Sequence, residues 1–285
     1  MEPGAVLLFE NLRFWPGEEA ASKRFAEMLA RWGDVFVDDA FSVAHRRAAS
    51  TTVLPRLAPS YLGLLFEREL RELDALMHRP VRPLVAIFGG AKTETKLPLL
   101  ERFSHFADTL VVGGALANTI LTARHVQVGS SKVDTTALAH LKSFARSKKF
   151  FLPRYAVVSR APDGKGARII PLEDIGAGEA IWDIGPKTSR ELGIVINRAK
   201  TIVWNGPLGL IEVPSFRRGT ITLARDLLNC HAKVILGGGD TVAFLEQQHI
   251  LSRFKYVSTG GGAMLAYLGG EKLPGLEALQ HPQKI

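Results

Sequence analysis

Five times in this chain a short run of apolar and β-branched residues passes straight into glycine and then into a helical pattern. The runs are Leu84-Val-Ala-Ile-Phe-Gly-Gly-Ala-Lys92, Thr109-Leu-Val-Val-Gly-Gly-Ala115, Thr201-Ile-Val-Trp-Asn-Gly-Pro-Leu-Gly209, Lys233-Val-Ile-Leu-Gly-Gly-Gly-Asp-Thr241 and Lys255-Tyr-Val-Ser-Thr-Gly-Gly-Gly-Ala263. Strands that alternate with helices form parallel sheets with right-handed crossovers, which places every strand-to-helix turn on the same carboxyl edge. The expected fold is therefore α/β, a Rossmann-like parallel sheet flanked by helices. Ligands of such sheets bind at that edge. Glycine there permits a positive φ and lets backbone N–H groups approach an anion at the start of the next helix. One Gly-Gly pair is accounted for by close packing of strand on helix, whereas five at one edge point to nucleotide phosphates. Neither G-x-x-x-x-G-K-[ST] nor G-x-G-x-x-G occurs, so the phosphate site is of another type.

The first part of the chain has a different texture. Val6–Phe9 is a short apolar run suited to a buried strand, Glu18–Trp32 carries Phe25, Met28, Leu29 and Trp32 at helical spacing, and Val35–Val37 suits another strand. Leu64–Met77 sets Phe66, Leu70, Leu73 and Met77 on one helical face and ends before Pro80 and Pro83, as a helix connecting two units would. At 285 residues two domains are expected. The predicted division is 1–63, a helix and linker over 64–83, a nucleotide-binding domain over 84–268, and a segment 269–285 that returns to the first domain.

Composition narrows the classes. With 46% hydrophobic and 22% charged residues the chain is neither disordered nor fibrous. Its single cysteine, Cys230, excludes an internal disulfide framework and a cysteine-based zinc site, and fits a reducing, cytoplasmic setting. No stretch approaches a membrane span and the first residues do not read as a signal peptide, so no membrane partner is expected. Of the net charge of +8, residues 1–63 hold seven Lys and Arg against eight Asp and Glu, so the positive surplus lies in the larger, later part. A positive surface attracts nucleotides and nucleic acid alike, but no nucleic-acid recognition signature is present.

Charged residues at the turns sharpen the reading. Lys92 and Lys96 are spaced i,i+4 after Gly89-Gly90, and on the first turn of a helix both ammonium groups would oppose the dipole unless an anion sat between them. Asp240, after three glycines, reads equally as a helix N-cap and as the carboxylate that holds Mg²⁺ against phosphate oxygens, and both can hold together. Arg13, His45 and Arg46 follow the early strands, where they form either a second anion clamp or a basic surface loop.

These segments resemble phosphoglycerate kinase. The resemblance is carried by Leu7–Phe14, Asp39–Arg46, Arg82–Lys92 with Lys96, Asp183–Thr188, Trp204–Gly209 with Glu212, Gly237–Thr241, Ser258–Ala263 and Leu273–Gly275, in that order. It implies a kinase that moves a phosphoryl group between 1,3-bisphosphoglycerate and ADP, giving 3-phosphoglycerate and ATP, with Mg²⁺. It further implies that Lys92, Gly239 and Gly262 are catalytic, following or donating to the transferring group. A nucleotide pocket is implied at Gly90, Ala91, Lys92, Lys96, Gly114, Asn205, Gly206, Pro207, Glu212, Gly239, Asp240 and Thr241, with Asp240 on the metal. Arg13, His45 and Arg46 resemble part of the phosphoglycerate site.

The chain starts partway into the family's N-terminal domain. The Asp-x-Asn-x-Pro strand end, the Ser-His-x-Gly-Arg-Pro turn and an arginine credited with stabilising the transferring group do not occur in it. On the resemblance, an upstream segment or a partner chain would supply the remaining strands, and without it turnover would be low. The alternative is a nucleotide-binding fragment without turnover. Ile181 stands where a glycine usually borders the adenine.

Overall fold

The computed structural model describes residues 4–141 and 144–280, and its contacts sort them into two units. The first takes the described residues up to Arg71 together with Gly262–Tyr267 and those from Glu271 onward. Here α1 (Pro16–Glu19) and α2 (Lys23–Ala30) replace the single helix expected over Glu18–Trp32. Ala21 breaks it with φ 49°, and Ser22 caps the second helix by accepting the Phe25 amide at 3.4 Å. Phe25 and Ala26 are buried against Ala49 and Leu54, while Met28 and Trp32 stay exposed.

The early strands also differ from the reading. Val6–Phe9 is extended but pairs with nothing among the described residues, and Val6 and Leu8 are 94% and 92% exposed. Four apolar residues define a strand only when a neighbour takes their amides. The run at Val35 becomes β1 (Phe36–Asp38), paired in parallel with β2 (Ser60–Leu62), a strand the sequence did not announce. Asp39, directly after β1, caps the next helix from a distance. Its Oδ1 accepts the amides of Leu65 and Phe66 at 2.7 and 3.1 Å, which starts α3 (Leu64–His78) and seats Phe66 edge-on against Phe41. From Glu72 onward α3 belongs to the second unit.

That unit follows the glycine pattern. In chain order it contains β3 (Leu84–Phe88), α4 (Leu97–Phe106), β4 (Thr109–Val112), α5 (Gly114–Ala123), α6 (Thr135–Leu141), β5 (Phe150–Phe151), β6 (Tyr155–Ser159), β7 (Arg168–Pro171), β8 (Ala180–Ile184), α7 (Pro186–Arg198), β9 (Thr201–Asn205), α8 (Arg218–Asn229), β10 (Lys233–Gly237) and α9 (Gly239–Gln247). The main sheet is parallel, in the order β10-β9-β3-β4-β5. Every residue of β3 and β9 is buried, as continuous apolar runs are when helices cover both faces. Phe88 pairs with Val112 and Asn205, and Asn205 with Gly237, so four glycine turns leave the sheet level with one another. The fifth expected strand, Lys255–Ser258, is reduced to one parallel bridge between Val257 and Leu236.

A three-stranded antiparallel sheet, β7-β6-β8, is inserted between β5 and α7 and was not foreseen. Its strands are short, and a bulge at Val157/Val158 interrupts the alternation that would have marked them. The last described elements are α10 (Gly262–Gly269) and α11 (Pro274–Gln280). The latter packs within the first unit, where the Gly275 amide donates to Ala44 O at 2.9 Å. No helix among the described residues is long and apolar enough to cross a membrane.

One buried acid ties β8 to α8. Asp183 is 1% exposed; its Oδ1 accepts the Ile184 amide at 2.8 Å and its Oδ2 the Gly219 amide at 2.7 Å. Burial pushes its carboxyl up to about 7, against the lowering effect of those two amides. The folded state therefore holds this proton more tightly than the unfolded chain, and the contribution to stability falls as pH rises from about 4 to about 7. Thermal melts of wild type and Asp183→Asn across this range should show the difference in Tm shifting in favour of the variant with rising pH. A constant difference would show that the carboxyl does not titrate there.

Candidate active site

The carboxyl edge of the main sheet is assembled from backbone before any side chain is considered. The Gly89 amide donates to Asn205 O, the Gly113 amide to Phe88 O and the Gly114 amide to Leu208 O, each at 3.0 Å. The turns after β3, β4 and β9 thus interlock. Gly114 adopts φ 62°, and a Cβ there would lie 2.9 Å from Gly90 O. Close packing therefore explains the glycine at this position. Gly239 is different. Its φ is ordinary and a Cβ added to it would meet nothing within 4 Å, so the protein itself does not require glycine there. The absent side chain leaves the first amides of α9 open to an anion.

The turn Asn205–Leu208 is pinned from below. Thr241, fully buried, accepts the Gly206 amide at 2.9 Å; Thr220 accepts the Leu208 amide at 3.0 Å; and the Trp204 indole donates to Gly206 O at 2.8 Å. Asn205 is 2% exposed, and its Nδ2 has no partner among the described residues. An unpaired buried donor is the kind of group that an anion's oxygen satisfies.

The lysines separate. Residues 90–93 form a loop, Glu94–Lys96 a 3-10 turn, and α4 begins only at Leu97, so Lys92 and Lys96 do not share a first helical turn. Pro98, the second residue of α4, helps to explain the late start. Lys92 is exposed in the loop, whereas Lys96 is 8% exposed and its ammonium donates to Gly89 O. Burial lowers the Lys96 pKa to about 8, with Asp240 opposing the shift and Lys92 adding to it. Asp240 is the second residue of α9 and makes no capping bond, the N-cap being Gly238. The capping role is thereby removed, and its carboxylate is exposed and within electrostatic reach of Lys96.

Of the sequence-expected residues, Gly90, Ala91, Gly114, Pro207, Glu212 and Asp240 line one cavity of about 230 Å³. Asn205, Gly206 and Thr241 support it without lining it. Ile181 from β8, singled out by the resemblance as bordering the adenine, lines it too, as does Gly209; the rest of the wall was missed by sequence reasoning: Ala115 and Asn118 from α5, Ala180 and Trp182 from β8, and Lys132, Leu210 and Ile211. Asn118 was accessible in principle, lying one helical turn beyond Gly114. Trp182 was not, because the sheet that carries it was not recognised. A larger hollow of about 690 Å³ between α7 and α8 contains none of the glycine turns or lysines.

In the first unit, Arg13 and Arg46 line a hollow of about 310 Å³ with Arg47, Glu18 and Glu19. None of the three arginines is ion-paired among the described residues, since Glu18 instead accepts the Ser50 amide and hydroxyl at 3.1 and 2.5 Å. Guanidinium groups without ion-pair partners are the kind of group an anion pairs with. His45 does not line this hollow. Burial, then the charge of Arg46, lowers its pKa, and its Nε2 would lie 3.2 Å from a Cβ placed on Gly262. Gly262 thus belongs with His45 in the first unit, whereas Gly239 and Lys92 belong to the second.

A family model described as phosphoglycerate kinase matches residues 1–271. The phosphoglycerate kinase of Desulfosudis oleivorans is 42% identical over 99% of this chain and 73% of its own length, and that of a Roseiflexus species is 40% identical over 98% and 72%. Among solved structures, phosphoglycerate kinase from Coxiella burnetii superposes with a TM-score of 0.89 at 36% identity, covering 96% of this chain and 72% of the other. Phosphoglycerate kinase from Pyrococcus horikoshii gives 0.84 at 28% identity, covering 95% and 71%. The interlocked glycine turns, the buried Lys96 and the uncapped Asp240 thus occur in a chain that matches these proteins along nearly all of its length, and it belongs to the phosphoglycerate kinase family.

Proposed function

We propose that the second unit binds ADP or ATP at the glycine edge and that the chain transfers a phosphoryl group between 1,3-bisphosphoglycerate and ADP. In the forward direction a β-phosphate oxygen of ADP attacks the acyl phosphorus. The bond from phosphorus to the carboxyl oxygen breaks, and 3-phosphoglycerate leaves as the carboxylate. The observation that carries this reading is the convergence on one cavity of Asp240 and the open glycine turns, with the cation Lys96 beneath them. Phosphoryl transfer needs positioning and charge stabilisation more than covalent chemistry, and these groups supply both.

In this reading the amides of Gly239 and Asp240 and the Nδ2 of Asn205 receive nucleotide phosphate oxygens, Glu212 takes the ribose, and Ile181 and Ile211 flank the base. Lys96 supplies buried positive charge, and Lys92, exposed on its loop, follows the moving group. Arg13 and Arg46 hold the phosphate of the acid, with His45 and the Gly262 amide nearby. Mg²⁺ fits Asp240, a hard, exposed carboxylate that makes no cap. Among the described residues no three His, Cys, Asp or Glu side chains cluster as ligands, so the ion would arrive with the nucleotide's own oxygens. When bound it neutralises phosphate charge. The lone cysteine, Cys230, fits a reducing environment, and the cytoplasm is the proposed setting.

Calorimetric titration should give one ADP site, and the absence of heat with ADP or ATP at millimolar concentration would overturn the reading. Asp240→Ala should weaken ADP binding about tenfold or more with Mg²⁺ present, in line with loss of one charge-assisted contact, and much less without it. If the two losses are equal, the metal assignment is wrong.

The Lys96 ammonium is protonated below its pKa of about 8 and neutral above it. Affinity for ADP should therefore fall as pH rises from 7 to 9.5, with proton uptake on binding at the upper end, and Lys96→Met should be weak and pH-independent over that range. A wild-type affinity that does not change would remove Lys96 from the site. Lys92→Ala should lower kcat by about 10²-fold or more, the usual effect of removing one transition-state donor, with a smaller change in KM for ADP. A loss confined to KM would make Lys92 a ground-state contact.

A further inference from the structure

The hollow of about 690 Å³ between α7 and α8 lies wholly in the second unit and takes no part in the site described above, yet its volume is that of a small-molecule pocket. Both helices lead into the starts of neighbouring parallel strands, β9 and β10, so they run side by side in the same direction. Three choices along them are unfavourable for the fold alone. Asp226 of α8 is partly buried in the wall of the hollow, burial raises its pKa, and it has no ion-pair partner among the described residues. Gly193 stands in the interior of α7, where only proline is less favourable. A Cβ on it would lie 3.2 Å from Asp226 Oδ2, so the glycine makes room for that carboxylate. Arg218 is the first residue of α8, where a cation opposes the helix dipole, and it too has no ion-pair partner among the described residues. Departures from local preference that gather in one hollow mark a site rather than a packing solution.

The order of these residues sets the chemistry. Arg218, Thr222 and Asp226 all line the hollow and follow one another at intervals of four, on one face of α8, with about 12 Å of helix between the first and the last at about 1.5 Å per residue. The hollow therefore has a basic end at the start of α8 and an acidic end two turns further on. Arg190, three residues before Gly193 on α7, lies toward the basic end and is likewise without an ion-pair partner among the described residues. Much of the remaining wall is apolar, and two of its members, Ile169 and Ile194, are 58% and 56% exposed. We propose that this hollow binds a small amphipathic zwitterion, with an ammonium group on Asp226, a carboxylate on Arg218 and an extended apolar chain between them. Each charge of such a molecule meets one that the protein leaves unpaired, and its chain removes the two isoleucines from water. An α-amino acid carries both charges on one carbon and cannot reach both ends.

Calorimetric titration of the wild-type chain with 8-aminooctanoate should give one site, about tenfold or more tighter than n-octylamine or octanoate, each of which keeps the chain and one of the two charges. Asp226→Asn, nearly the same in shape, should bring 8-aminooctanoate down to the level of octanoate and leave octanoate itself unchanged. Gly193→Ala, which sets a methyl group against Asp226 Oδ2, should weaken the zwitterion as well. Thermal melts check that each variant folds, and the comparison of the three ligands on wild type decides the matter without any variant. Absence of heat with 8-aminooctanoate at millimolar concentration would overturn the proposal. So would octylamine or octanoate binding as tightly as the zwitterion, or a folded Asp226→Asn that binds the zwitterion as wild type does. The proposal does not rest on the nucleotide reading: failure of ADP to bind would overturn that reading and leave this one standing.

Discussion

The loop after β9 lies so close to the loop after β3 that no side chain fits between them. The Gly89 amide donates to Asn205 O, and a Cβ on Gly89 would overlap the Pro207 carbonyl. The same exclusion recurs at Gly113, where a Cβ would come within 2.7 Å of Leu208 Cα. Backbone packed on backbone gives a rigid edge whose amides have determined directions, and the preorganisation that phosphate recognition needs comes from that. Everything else in the site is attached to this arrangement. Thr241 and Thr220 hold it from below, and Asp240 and Gly239 enter through the helix that starts beside it.

Close packing also determines the electrostatics. The interlocked turns bury Lys96, whose ammonium is held by Gly89 O, and burial lowers its pKa toward neutrality. A cation desolvated in advance does not have to shed water when an anion arrives, and its charge acts through a medium of low polarisability. Lys92, four residues earlier, is left in an exposed loop. Two lysines of similar sequence environment thus differ, one embedded beneath the turns and one exposed on a loop. In the first unit the contrast recurs with arginines. Glu18 is engaged by Ser50, which leaves Arg13, Arg46 and Arg47 without carboxylate partners in their hollow.

Much of this was legible because the relevant signals are local. A strand running into glycine and then a helix declares its crossover within about ten residues, so β3, β4, β9 and β10 and the turns that carry Gly90, Gly114, Asn205 and Asp240 could be read directly. The failures are equally specific. Val6–Phe9 has strand composition but no ladder among the described residues, and Glu18–Trp32 has helical periodicity broken by the positive φ of Ala21. Trp182 reaches the cavity from an antiparallel sheet whose bulge obscured its alternation, and its neighbour Ile181 was placed there by the resemblance alone. Asn118 carried no motif at all.

By itself the sequence determined the α/β class, the parallel sheet, the edge at which the glycine turns gather, and the residue types found there, because period, glycine placement and charge act over a single turn or strand. Only the tertiary structure decided which lysine is buried, that Asp240 is free of capping, that Gly262 belongs with His45, and that Asn118 lines the pocket. Those properties depend on desolvation and on the positions of partners many residues away. The Asp39 carboxylate that starts α3 from twenty-six residues upstream shows the same dependence in the fold itself.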